Sequence, residues 1–177
     1  MLTLLVLIVA CQPSPRGQQA EPLVDETIEE EVLDTTYYGV CGDGTSMHSL
    51  ELITNDGDTL IYSYNTGEDQ VTRGGLMVGD RVAVLRGIDE YGDSCASLIV
   101  NLTSLLGHWT SLDKNFEIQE GGVVQSNVAT ESKSWTSWKI MNGQLLFDRD
   151  TFDIVALNAD SLFLENDNGI FVYKRLQ

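Results

Sequence analysis

Trp138-Lys139-Ile140-Met141-Asn142-Gly143-Gln144-Leu145-Leu146-Phe147 is the stretch that decides the fold class. Two short alternating runs flank Asn-Gly, the pair that most readily supplies two consecutive positive φ angles, so the stretch predicts a tight antiparallel hairpin. The same pattern repeats outward. Downstream, Thr151 to Ala156, Ser161 to Glu165 and Ile170 to Arg175 read as strands, with a turn at Asn166-Asp167-Asn168-Gly169. Upstream, Gly107 to Leu112, Asn115 to Gln119, Val123 to Asn127 and Ser134 to Met141 precede the hairpin, with a turn at Glu120-Gly121-Gly122. Eight antiparallel strands in chain order predict an up-and-down barrel over residues 105–177. Eight strands in so short a segment must themselves be short, and the barrel shallow.

Residues 35–101 follow the same rules on a smaller scale. Strands are predicted near Tyr37 to Cys41, Met47 to Thr54, Thr59 to Tyr64, Arg81 to Arg86 and Cys95 to Asn101, the second and third joined by Asn55-Asp56-Gly57-Asp58. The glycine-rich segment Gly74-Gly75-Leu76-Met77-Val78-Gly79-Asp80 leads into Val82 and Val84, a strand pattern. A phosphate-binding loop needs a following helix and usually a lysine, so this segment reads as a turn. No stretch keeps a helical period for three turns. The chain is therefore expected to be all-β, two small barrels in series.

The first of these resembles the OB-fold family of five-stranded barrels, through its strand count and the Gly79-Asp80 turn that feeds the fourth strand. The second resembles the lipocalin-like (calycin-type) domains of exported Bacteroidetes-type lipoproteins. Gly107-His108-Trp109 matches the Gly-x-Trp that opens such barrels, and Arg175 in Phe171-Val172-Tyr173-Lys174-Arg175 matches their terminal basic residue. Trp138-Lys139 through Gly143-Gln144-Leu145 is similar to the middle of the family pattern. The resemblance covers residues 105–176 and implies that Gly107, Trp109 and Arg175 close the barrel end, the guanidinium lying across the indole.

The amino-terminal segment speaks to location. Leu2, Leu4, Leu5, Val6, Leu7, Ile8 and Val9 make an apolar run too short to cross a bilayer as a helix. Ile8-Val9-Ala10-Cys11 matches a bacterial lipobox, in which the cysteine thiol takes the lipid and the peptidase cuts before it. Residues 1–10 are thus expected to be a signal peptide. Cys11 is the expected lipidation site, and two or more acyl chains give stable membrane anchoring. An ordinary cleaved signal or a buried first strand is the alternative. Residues 11–34 carry Pro13, Pro15 and Pro22 and then Glu21, Asp25, Glu26, Glu29, Glu30, Glu31 and Asp34, the composition of a disordered acidic tether. The expected location is the bacterial cell envelope, on the periplasmic face or the outer-membrane surface.

Charge narrows the partners. The formal charge is -17, and with the tether's one Arg and seven acids removed, residues 35–177 still hold nine basic and twenty acidic side chains. Nucleic acid, which needs a basic footprint, is not an expected partner.

No side-chain set points to catalysis. His48 and His108 have no nucleophile and acid at a recognised spacing, and neither cysteine spacing nor acid spacing gives a metal motif. Asp56/Asp58, Glu68/Asp69 and Asp89/Glu90/Asp93 sit where turns favour Asp for its own backbone hydrogen bonds. No cofactor and no metal are expected. Cys41 and Cys95 are either a disulfide, permitted by export, or two buried thiols. Trp135, Trp138, Phe147 and Tyr173 either line a ligand pocket or fill the barrel. The expected function is a non-enzymatic, envelope-anchored binding protein for a small apolar or amphipathic ligand, a glycan or a peptide. The alternative is an interaction module with filled barrels that recruits another envelope protein.

Overall fold

Period-two alternation, interrupted by Gly, Asn and Asp, folds into fourteen short strands in a computed structural model that describes residues 33–65, 71–127 and 134–176. The signal segment, Cys11, nearly all of the tether and the Glu68/Asp69 pair lie outside the described residues. The first sheet holds β1 (Thr36–Cys41), β2 (Ser49–Thr54), β3 (Thr59–Ser63), β4 (Thr72–Arg73), β5 (Arg81–Ile88) and β6 (Ser94–Asn101). β1, β2 and β3 form a meander, β1 also pairs with β5, and β5 pairs with β6. β6 returns to β3 through one parallel pair, Ser63 with Cys95, which brings the sheet round into an OB-like barrel. The structure adds the two-residue β4, parallel to β6, which is too short to carry an alternation signal in sequence.

The second sheet holds β7 (Gly107–Thr110), β8 (Asn115–Gln119), β9 (Val123–Ser126), β10 (Trp138–Met141), β11 (Gln144–Phe147), β12 (Asp150–Leu157), β13 (Ser161–Asn166) and β14 (Gly169–Arg175). The order is β10-β11-β12-β13-β14-β7-β8-β9, all antiparallel. The two ends of this sheet meet through a Val123–Ser137 bridge and a hydrogen bond from the Val124 amide to the Thr136 carbonyl, 2.9 Å, so the barrel is nearly closed. The Asn-Gly turn forms as its chemistry requires, with Asn142 at φ 50° and Gly143 at φ 82°. In β12 the register slips between Ile154 and Ala156, a bulge that carries the buried positions from Ile154 to Leu157. The apolar run Ile154-Val155-Ala156-Leu157 hides that slip from any reading of alternation.

One short helix, α1 (Leu102–Leu105), joins the two sheets and was not expected from the sequence, since four residues cannot show a helical period. Asn101 caps it: its Oδ1 accepts from the Ser104 amide at 2.8 Å, while its Nδ2 donates to the Gly75 carbonyl and to Asp80 Oδ2 at 2.8 Å. At 1% exposure it is the only buried polar side chain among the described residues, and it ties the Gly74–Asp80 turn, β6 and α1 together.

The sheets share a core. β5 and β6 are apolar on both faces: Val82, Val84 and Ile99 pack inside the first barrel, whereas Ala83 and Val100 join the core of the second. Residues 33–177 accordingly form one compact unit. The β10–β11 turn is the clasp. The Asn142 amide donates to Thr36 Oγ1 at 2.8 Å, and Asn142 Oδ1 accepts from the Thr35 amide and hydroxyl, each at 2.8 Å. Gly143 takes a φ of 82° that disfavours other residues, and a Cβ there would press on Leu98 Cδ2 at 2.8 Å, so the Leu98 side chain would have to shift. The Arg73 guanidinium and the Gly74 amide reach the Ile154 and Leu157 carbonyls across the same boundary.

Candidate functional site

The interior of the eight-stranded barrel is occupied by its own side chains. Phe116 stands edge-on to Trp135, Phe147 and Tyr173 at 5.2, 5.6 and 5.1 Å between ring centres, and Trp135 stacks on Phe147 at 4.4 Å. Phe152 and Phe171 extend the cluster, and Trp109, Leu145, Leu162 and Leu164 complete the layer. Strands of four to eight residues give too little height for a cavity above such a layer. Trp135 and Phe147 therefore fill the barrel, while Tyr173, equally buried, also borders a pocket beside the β7–β8 turn.

Both ends of β7 carry a cation on an indole. At the α1 end the Arg175 guanidinium lies 4.2 Å from the centre of the Trp109 ring. Its Nη1 donates to the Leu106 carbonyl at 2.7 Å, its Nε to Ala159 at 2.7 Å and its Nη2 to Ser104. Trp109 Nε1 donates to the Leu105 carbonyl at 2.9 Å. Gly107, at φ 124°, would bring a Cβ within 2.5 Å of Arg175 Nη1, so these three residues are mutually required. At the β7–β8 turn, Lys114 Nζ lies 4.0 Å from the centre of Trp135.

The seam of the barrel is held by a carboxylate. Asp148, at φ 51°, accepts from the hydroxyls of Thr136 and Ser137 at 2.8 Å each and from their amides at 3.1 and 3.0 Å. Desolvation works to raise the Asp148 carboxyl, but these hydrogen bonds outweigh it and hold it below the usual carboxylate value. A depressed folded-state pKa gives stability that is present above the unfolded value and lost as pH falls through the folded one. Asp148 is exposed, so the contribution is about 1 kcal/mol. Urea midpoints of Asp148→Asn are expected to fall below those of the parent at neutral pH and to converge with them below about pH 3.9. A gap that stayed constant down to pH 2 would show that the carboxylate does not act as this clasp.

A cavity with mainly apolar walls lies where the two barrels meet. It has a volume of about 300 Å³ and is walled by Tyr38 of β1, Leu102 and Leu106 at the ends of α1, and Trp138 and Ile140 of β10. Tyr38 points out of its own barrel and donates its hydroxyl to the Ile140 carbonyl, and burial followed by the Asp34 carboxylate raises its pKa, so it stays a donor. The Trp138 indole, packed against the core of the second barrel, donates to the Gln119 carbonyl at 2.8 Å. Three charged side chains stand at the rim: Arg81, Glu120 and Lys139. Arg81 Nη1 and Glu120 Oε1 are 3.7 Å apart, a loose exposed pair between the first barrel and the 3-10 turn Glu120–Gly122.

Of the residues singled out in sequence, Trp138 alone belongs to this cleft. Its partners lie far away in the chain, and the pattern offers one signal for them. Tyr38 is an aromatic residue on an outward position of its small barrel, and continuous apolar runs such as Val82-Ala83-Val84-Leu85 mark a strand covered on both faces.

The remaining candidates separate in space. Cys41 and Cys95 are free thiols. Cys41 pairs with Leu52, Leu52 with Leu60, and Cys95 with Ser63, three residues further along β3. That offset is roughly 10 Å along the strand direction alone, beyond the Cα spacing of a disulfide. Burial, and then the Asp80 carboxylate, push the Cys41 thiol up to about 11, so it is an unreactive core residue. His108 pairs across strands with Glu117, Nε2 to Oε2 at 3.0 Å, on the outer surface. Asp89 accepts from the amides of Tyr91 and Asp93 at 2.9 Å each, as a turn aspartate does. No three potential metal ligands cluster among the described residues, and no helix among them is long and apolar enough to cross a membrane. Comparison of the chain with family models, with curated proteins and with solved structures gives no match.

Proposed function

We propose that this chain is a non-enzymatic, envelope-anchored binding protein whose ligand site is the cleft between its two barrels. The observation that carries this reading is the contrast between a barrel filled by aromatic side chains and an apolar cleft of about 300 Å³ beside it. That volume is at the lower end of small-ligand sites. Three aromatic and aliphatic walls with a charged rim suit a small apolar or amphipathic ligand, or one apolar side chain of a peptide. Anchoring through Cys11 and a lipocalin-like origin for residues 105–176 rest on the lipobox and on the Gly107, Trp109 and Arg175 set. With no nucleophile, metal cluster or acid–base pair converging on the cleft among the described residues, binding is the chemistry its walls support.

Trp138 makes the test direct, since Trp109 and Trp135 are buried in the barrel and Trp138 is half-buried at the cleft. A fluorescence screen of bile acids, short fatty acids, aromatic acids and oligosaccharides should give shifts with the parent that vanish in Trp138→Phe. Shifts that persist in Trp138→Phe would place the ligand in the barrel, and the cleft reading would fall.

A further inference from the structure

The charges at the cleft say more about the ligand than its volume does. Residues 35–177 carry twenty acids against nine bases, yet two of those nine, Arg81 and Lys139, stand at this one rim, where Glu120 faces Arg81 and Asp34 acts on Lys139 and Tyr38. Arg81 is positioned from behind, its amide donating to Thr103 Oγ1 at 2.9 Å. Its guanidinium meets Glu120 at 3.7 Å, too long for the bidentate geometry that an arginine and a carboxylate adopt when free to align. Glu120 precedes Gly121 and Gly122, whose φ of 77° and 79° place it at the start of a tight glycine turn beside the cleft. A carboxylate already present but poorly seated marks the place where a better one fits.

We propose that the cleft takes a short amphipathic monocarboxylate, its apolar body between Tyr38, Leu102 and Trp138 and its carboxylate on Arg81 in place of Glu120. This rests on the cleft being the ligand site. At roughly 30 Å³ for each water-sized group, 300 Å³ holds about ten non-hydrogen atoms, the size of a phenylpropanoate or a medium-chain fatty acid. Lys139, the other cation at the rim, gives the anion a second attraction.

The experiment is a fluorescence titration of the full chain with 3-phenylpropanoate, its neutral amide and 3-phenylpropylamine. The acid is expected to bind about tenfold more tightly than the amide. Arg81→Gln should bring the acid down to the amide's affinity and leave the amide unchanged, while Glu120→Gln should tighten the acid several-fold by removing its competitor. Equal binding of acid and amide would overturn the anion proposal and leave the cleft standing. Tightest binding of the amine would overturn it by making Glu120 the anchor. Binding of none of the three would remove the cleft reading and this proposal with it. Should Arg81→Gln fail to fold, the acid-to-amide ratio in the parent and in Glu120→Gln decides the question.

Discussion

Phe147→Ala is expected to destabilise the protein by about 3–5 kcal/mol, the range for removing a fully buried aromatic side chain. Phe147 is 0% exposed and meets Trp135 face to face and Phe116 and Phe152 edge-on. Truncation removes three ring contacts and leaves a void that short, hydrogen-bonded strands cannot collapse onto. The urea midpoint should fall steeply with little change in slope, because the denatured state is the same. Binding at the cleft should weaken together with stability, since the cleft residue Trp138 is the cross-strand partner of Phe147. A loss below 1 kcal/mol would mean that the barrel holds slack space, and the ligand would then belong inside it.

Arg175→Met is expected to cost about 3.5–4 kcal/mol. The methionine keeps much of the stem's packing, but the Leu106, Ala159 and Ser104 carbonyls lose their donors and the Trp109 ring loses its cation. Hydrogen bonds from a charged donor are each worth about 1.5–3 kcal/mol when well shielded. Arg175 is partly exposed, so about 1 kcal/mol for each is the defensible figure, with about 0.5–1 kcal/mol more from the ring contact. Arg175→Lys should recover less than half, because one ammonium cannot span three carbonyls on two segments, α1 with its C-cap and the turn at Ala159. A lysine variant as stable as the parent would show that charge alone holds the barrel end.

The strands were legible because both halves alternate at period two between Gly, Asn and Asp turns, and the Asn142-Gly143 turn lies where its chemistry placed it. The contact of Arg175 on Trp109 was implied by a resemblance, not by spacing, since 66 positions separate the two residues. What stayed hidden depends on packing between elements. β4 and α1 are shorter than any period, and the β12 bulge lies in an unbroken apolar run. Asn142 read as a turn residue only, yet its side chain also grips Thr35 and the carbonyl of Leu33. The cleft was least legible of all. Tyr38 meets Ile140 across 102 positions, and Arg81 meets Glu120 only because two sheets share one core.

That the open space lies between the barrels and not within the second one can be measured without knowing the ligand. Xenon settles in apolar voids, and methyl resonances report where it sits. Under xenon, shifts are predicted at the methyls of Leu102 and Leu106, whereas shifts centred on Leu145, Leu162 and Leu164 would contradict the filled barrel.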